Sequence, residues 1–222
     1  MALTLSAIIF DMDGLLLDTE PVFQRVWTAS LAAFGKVLTP EMFLQLLGRG
    51  RKGALIKVDE IFGVTFPRDQ LLAEIEKQEL YHFESSPLQL KPGVREILHF
   101  VAEREIPRMV ATSTRRKVAE KRLQAAHILS SFYGIVAGDE VTNSKPAPDI
   151  FLAAANKLGV AAQGCVVLED SESGIRGAHA AGMIPVMIPD LLTPTPEIRT
   201  LARAVLPNLS VAQEWIKNEF LI

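Results

Sequence analysis

Several features that define extracellular, membrane or nucleic-acid-binding proteins are absent from this sequence. Its single cysteine, Cys165, excludes an internal disulfide, which fits a reducing compartment such as the cytoplasm. No apolar run reaches the roughly 18 residues that a membrane span requires, and the first residues lack the basic region of a secretory signal. The net charge is −3 with both signs interspersed, so no basic surface for nucleic acid is expected. We therefore expect a cytoplasmic protein without membrane or nucleic-acid partners, and a monomer as the default state.

Short β-prone apolar segments alternate with helical patterns over much of the chain. The strands are predicted at residues 7–10, 108–112, 133–137, 165–168 and 184–188. The helices are predicted at about 93–104, 115–126, 147–158 and 173–182. Since 49% of the 222 residues are hydrophobic, the chain can bury these elements in a sizeable core. The alternation predicts an α/β fold with a doubly wound parallel sheet.

The stretch from residue 17 to residue 90 interrupts this alternation and contains no convincing strand. Apolar residues recur in it at helical spacing, with Thr19 as the predicted N-cap of the first helix. We predict an α-helical domain at 17–90, inserted into an α/β core domain of residues 1–16 and 91–222. The alternative is a set of extra helices packed on the sheet within a single domain.

Two carboxylates follow the first predicted strand, at the sheet edge where open α/β proteins bind ligands. Asp11 and Asp13 are two residues apart, so both side chains can face the same site. Close carboxylates repel each other, which favours a cation or a shared proton between them. Alone this is a weak signal, because an acidic turn after a strand is often a helix cap or a solvated loop.

Polar side chains also follow the other strands, and each has a plain structural alternative. Thr112 and Ser113 precede a predicted helix and fit either phosphate binding or helix capping. Lys145 lies between prolines at a helix start, where it suggests an anionic partner or is simply a solvated lysine. Glu169 and Asp170 fit metal ligands or helix caps. Together these strand ends supply a nucleophile, an acid/base, phosphate donors, a counter-charge and oxygen ligands for Mg²⁺.

The motifs resemble those of the haloacid dehalogenase-like superfamily in order and context across nearly the whole chain. The first motif is carried by 10–20, the second by Thr112, the third by 144–149 and the fourth by 169–174. The helical insertion is similar to the small α-helical cap of the subfamily that contains β-phosphoglucomutase and many sugar-phosphate phosphatases. The resemblance implies a phosphoric monoester hydrolase that acts on a small phosphorylated metabolite.

The resemblance also implies a role for each matching residue. Asp11 would attack phosphorus and carry the phosphoryl group as an aspartyl-phosphate, and Asp13 would protonate the leaving oxygen and then activate water. Thr112 and the backbone N–H of Ser113 would bind phosphoryl oxygens, and Lys145 would neutralise the negative charge. Such roles suit phosphoryl transfer, which depends mainly on positioning and charge neutralisation.

The implied metal ion is Mg²⁺, held by Asp11, the carbonyl of Asp13, Asp170 and Glu169. A basic glycine-rich segment at 48–53 resembles the substrate loop of the cap, with Arg51 as the residue that would read a distal part of the substrate. The alternative for this segment is an ordinary solvated turn.

One position departs from the β-phosphoglucomutase pattern. Where those sequences carry a histidine that limits hydrolysis of the aspartyl-phosphate, this chain has Phe23. The departure favours a phosphatase over a mutase. A third interpretation is a non-enzymatic receiver-type phosphoacceptor, although receivers are shorter, carry the phosphoacceptor on the third strand and lack an inserted cap.

Overall fold

The computed structural model describes residues 4–48, 50–85 and 88–222. Its sheet has six parallel strands in the order β3-β2-β1-β4-β5-β6. These are β1 Ala7–Phe10, β2 Arg108–Thr112, β3 Ile135–Ala137, β4 Cys165–Glu169, β5 Ile184–Met187 and β6 Ala204–Val205. Every residue of β1, β3, β4 and β5 is buried, as expected of strands covered on both faces.

The strand order reverses beside β1, which lies between β2 and β4. A reversal of this kind opens a crevice at the carboxyl ends of the strands, where α/β proteins bind their ligands. The prediction of a doubly wound α/β fold is confirmed. The sequence did not indicate β6, because its two half-buried residues are too few to produce a periodic pattern.

Among the described residues, six α-helices connect or flank these strands. They are α5 Val94–Glu103, α6 Arg116–Ala125, α7 Asp149–Leu158, α8 Glu172–Ala180, α9 Pro196–Leu201 and α10 Leu209–Phe220. α7 packs against β1, β2 and β3, and its Phe151 is fully buried in the core on that face of the sheet. In the described part of the inserted segment lie four more: α1 Glu20–Ala32, α2 Pro40–Leu46, α3 Gly50–Phe62 and α4 Arg68–Ser85.

The chain separates into two compact units. One contains the residues up to Asp18 and those from Gln89 onward, and the other is Thr19–Leu88. The helical unit has its own apolar core, in which Val26, Leu31 and Leu71 are completely buried. That residues 17–90 form a separate cap domain remains our proposal. Across the described ranges, no helix is both long and apolar enough to cross a membrane.

Of two local predictions in the helical unit, one is confirmed and one is wrong. Thr19 is the N-cap residue of α1, as predicted, although its side chain makes no capping hydrogen bond; its hydroxyl donates to the Glu20 carboxylate at 3.3 Å. The segment predicted as a loop at 48–53 is helical from Gly50 onward. Arg49, in that segment, and residues 86–87, within the predicted insertion, lie outside the described residues.

Candidate active site

A buried lysine connects two carboxylates at the carboxyl end of the sheet. Lys145 Nζ lies 2.5 Å from Asp11 Oδ1 and 2.5 Å from Glu169 Oε1, and it donates to the Ala111 carbonyl at 3.1 Å. Its side chain is only 4% exposed. Burial lowers the pKa of Lys145, but the ion pairs with Asp11 and Glu169 outweigh it, so the pKa is raised. The ammonium therefore stays charged between its two partners.

Asp11 directly follows β1, and its N–H donates to the Leu168 carbonyl at 3.0 Å on the neighbouring strand. Burial raises the pKa of the Asp11 carboxyl to about 8, because desolvation outweighs the opposing attraction of Lys145. The negative charge of Glu169 adds to the rise. A cation beside these carboxylates would counter the desolvation and favour ionised Asp11.

Glu169 ends β4 with no exposure to solvent, and both oxygens of its carboxylate accept hydrogen bonds. Oε1 accepts from Lys145, while Oε2 accepts from both the N–H and the hydroxyl of Ser171 at 2.8 Å. The Ser171 hydroxyl also caps α8 by accepting from the Gly174 N–H at 3.1 Å. A Cβ at Gly174 would overlap the Glu169 carboxylate, so the start of α8 needs a glycine here.

The acidic cluster of Asp11, Glu169 and Asp170 has the donor set of a metal site. One carboxylate oxygen from each residue lies within 4.8 Å of the others. With a cation bound and all three carboxylates ionised, the three carboxylates and the one ammonium of Lys145 would leave two excess negative charges, which matches a divalent cation. Carboxylate oxygens are hard ligands of the kind that Mg²⁺ prefers. The cluster could hold such an ion.

Asp13 points to a different pair of partners from those of Asp11. Its Oδ1 accepts from Arg122 Nη1 at 2.9 Å, and its Oδ2 accepts from the Thr114 hydroxyl at 2.7 Å. Gly14, with φ +82°, allows the tight turn that follows. From the sequence no role is assigned to Arg122, one of several basic residues of α6, which lies in the last turn of the helix. The available signal was its place on the buried face of the helix.

Thr112 and Ser113 lie where the sequence predicts them, at the carboxyl end of β2 and just beyond it. The buried Thr112 hydroxyl accepts from the Thr114 N–H at 3.1 Å, while Ser113 is exposed. The Ser113 carbonyl packs closely against Gly138, where a Cβ would clash. The backbone after β2 is therefore fixed beside Asp13, in a position consistent with the predicted phosphate contacts.

Arg51 belongs to the helical unit and lies in the first turn of α3. Its Nη2 is 2.7 Å from both carboxylate oxygens of Glu79 on α4, and its side chain is 40% exposed. An ion pair this exposed contributes little to stability. Arg51 can therefore exchange Glu79 for another anion at small cost.

Comparisons with known proteins agree with this geometry. A family model described as haloacid dehalogenase-like hydrolase matches residues 5–182. The chain is 34% identical over 179 residues to a phosphorylated carbohydrates phosphatase of Thermotoga maritima, with 81% of this chain and 82% of that relative covered. It is 31% identical over 178 residues to a fructose-1-phosphate phosphatase of Escherichia coli, with 80% and 93% covered.

A solved structure of β-phosphoglucomutase from Clostridium difficile has a TM-score of 0.82 to this chain at 23% identity, with 98% of each chain covered. At that identity the likeness concerns the fold alone. The match over most of the chain shows that this protein belongs to the haloacid dehalogenase-like hydrolases. The prediction of a phosphoric monoester hydrolase is confirmed by the phosphatases among its relatives.

Proposed function

We propose that this protein is a Mg²⁺-dependent phosphatase that hydrolyses a small phosphorylated metabolite through an aspartyl-phosphate on Asp11. The observation that carries the proposal is the acidic cluster with Lys145 bound between Asp11 and Glu169. A buried cation next to a carboxylate nucleophile suits a reaction in which negative charge concentrates on the transferring phosphoryl group. The phosphatases among the relatives support the same class of reaction.

In the first half of the reaction, a carboxylate oxygen of Asp11 attacks phosphorus. The bond between phosphorus and the ester oxygen breaks, and Asp13 gives its proton to that oxygen. Lys145 remains against Asp11 and offsets the charge on the phosphoryl oxygens, while Thr112 and the Ser113 N–H orient them. The product of this half is the free alcohol and phosphorylated Asp11.

In the second half, Asp13 takes a proton from a water molecule as that water attacks the phosphorus of the aspartyl-phosphate. The bond between phosphorus and Asp11 breaks, which releases inorganic phosphate and restores the carboxylate. Asp11, Glu169, Asp170 and the Asp13 carbonyl would hold the Mg²⁺. When bound, that ion supplies positive charge that keeps Asp11 ionised and neutralises the phosphoryl oxygens.

Phe23 favours hydrolysis over the mutase reaction. Its half-buried ring packs edge-on against Phe83, with centroids 5.4 Å apart, and lies against the apolar core of the helical unit. An aromatic hydrocarbon in this position can neither donate nor accept a proton, so it cannot perform the task of the histidine found in mutases. We infer that the phosphorylated enzyme is intercepted by water.

A phosphate-release screen over phosphorylated sugars, polyols and nucleotides tests this function. With Mg²⁺ present, we expect release from at least one small phosphomonoester, loss of that activity after exhaustive chelation and its return when Mg²⁺ is added back. Ca²⁺ should restore activity poorly, because its larger and looser coordination disturbs the in-line geometry. Full activity in the chelated enzyme would refute the metal assignment. Conversion of β-glucose 1-phosphate to its isomer without phosphate release would favour the mutase instead.

A further inference from the structure

Arg122 is a buried cation whose partner is the carboxylate of Asp13. It lies on α6 beside the buried residues Ala119 and Leu123, and its own side chain is only 6% exposed. Its Nη1 donates to Asp13 Oδ1 at 2.9 Å. A guanidinium is costly to bury unless it is paired and hydrogen-bonded, so this position on an apolar helix face requires an explanation.

Both oxygens of Asp13 accept hydrogen bonds, one from α6 and the other from the segment that follows β2. Arg122 holds Oδ1, and the Thr114 hydroxyl donates to Oδ2 at 2.7 Å. The two donors differ chemically, because a guanidinium only donates and does not lose its proton in proteins, whereas a hydroxyl can donate or accept. Oδ1 is thus fixed as an acceptor, while Oδ2 can alternate between accepting and donating.

We propose that Arg122 is a positioning residue that fixes the Asp13 carboxyl group and makes Oδ2 the oxygen that exchanges the proton. The inference rests on the proposed function, in which Asp13 is the acid and then the base. The proton leaves Oδ2 for the ester oxygen as the P–O bond breaks, and a proton from water returns to Oδ2 in the second half. Arg122 itself touches neither the substrate nor the reacting atoms.

This role predicts a specific defect when Arg122 is removed. A general acid matters most when the leaving group is a poor one, and it matters little when the leaving group is already a stable anion. Phenyl phosphate and p-nitrophenyl phosphate have similar shapes, but p-nitrophenol is much the stronger acid. Misplacing Asp13 should therefore slow hydrolysis of phenyl phosphate far more than hydrolysis of p-nitrophenyl phosphate.

The experiment measures kcat/KM of wild type and Arg122→Met on both aryl phosphates with saturating Mg²⁺. We expect a loss of about ten- to a hundredfold on phenyl phosphate, the scale of a displaced catalytic group. On p-nitrophenyl phosphate we expect a loss of about threefold or less, because little proton transfer is needed. Arg122→Lys, which keeps a buried donor, should recover part of the activity that the methionine variant loses on phenyl phosphate.

Arg116→Met is the matched control, since Arg116 is an ion-paired arginine on the same helix whose carboxylate partners are Glu140 and Glu120. Arg116→Met should change kcat/KM only slightly, and to the same extent for both substrates. Thermal unfolding of each variant monitors the fold, and Arg122→Lys carries the test if the methionine variant does not fold. Equal losses on both esters, or no loss, would overturn the positioning role. If instead Asp13→Asn hydrolyses both esters at wild-type rates, the proposed function is refuted.

Discussion

At the residue scale, Gly174 shows how closely the backbone approaches the buried Glu169 carboxylate. The first turn of α8 passes directly over that carboxylate, and no side chain fits between them. Glu169 cannot move away without losing Lys145 or Ser171, because both of its oxygens are bonded. Glycine is therefore required at position 174 because the Glu169 carboxylate leaves no room for a side chain, and not because of the helix conformation.

The sign of the change in the free energy of unfolding caused by Gly174→Ala tests that conclusion. Helix propensity alone predicts a gain in stability of about 1 kcal/mol for alanine over glycine. We expect the opposite, a fall in the free energy of unfolding of about 1–3 kcal/mol, because the new methyl group overpacks the site. Chemical denaturation measures it, with His179→Ala at an exposed position of the same helix as the control. A variant as stable as wild type would contradict the account.

At the element scale, α3 replaces a segment that the sequence predicts as a loop. Gly48 and Gly50 both adopt positive φ, as glycine allows, and Gly50 is the first residue of the helix. From Ala54 onward the helix buries apolar side chains in the core of the helical unit, which draws Arg51 into its first turn. Tertiary packing thus outweighs the low helix propensity of the glycines.

Arg51→Ala tests whether this arginine binds the part of the substrate away from the transferring phosphate. A charged hydrogen bond is worth about 1.5–3 kcal/mol, so kcat/KM for the best sugar or polyol phosphate should fall by about ten- to a hundredfold. The loss on p-nitrophenyl phosphate, which has no distal group, should be much smaller.

Glu79→Ala provides the matched control for Arg51→Ala. It breaks the same ion pair but leaves the arginine in place. We expect this variant to keep, or slightly improve, activity on the preferred substrate, since Arg51 no longer has a competing anion. Equal losses in the two variants would assign the pair to the fold of the helical unit and refute a substrate contact.

At the scale of the whole molecule, the sheet topology explains how much of the fold and of the active site could be predicted from the sequence. Parallel strands collect their carboxyl ends at one edge, so Asp11 and Glu169 become neighbours across the β1–β4 pairing although they are far apart in sequence. The five longest strands could be predicted because each is an apolar run bounded by polar turns. Periodicity indicates the face of an element on which a side chain lies but not the partner that it contacts, and therefore neither the ion pair of Arg122 with Asp13 nor that of Arg51 with Glu79 could be predicted.

The central claim is that Asp11 carries the phosphoryl group during turnover. The most direct measurement compares phosphate release by wild type and Asp11→Asn on the preferred substrate, with acid-quenched wild type analysed by peptide mass spectrometry. Because the amide keeps the shape but is not a nucleophile, release should fall by about 10⁴-fold or more, the scale of losing a catalytic nucleophile. The trapped phosphoryl group should be found on the peptide that contains Asp11. An Asp11→Asn variant with near-wild-type release would contradict the account.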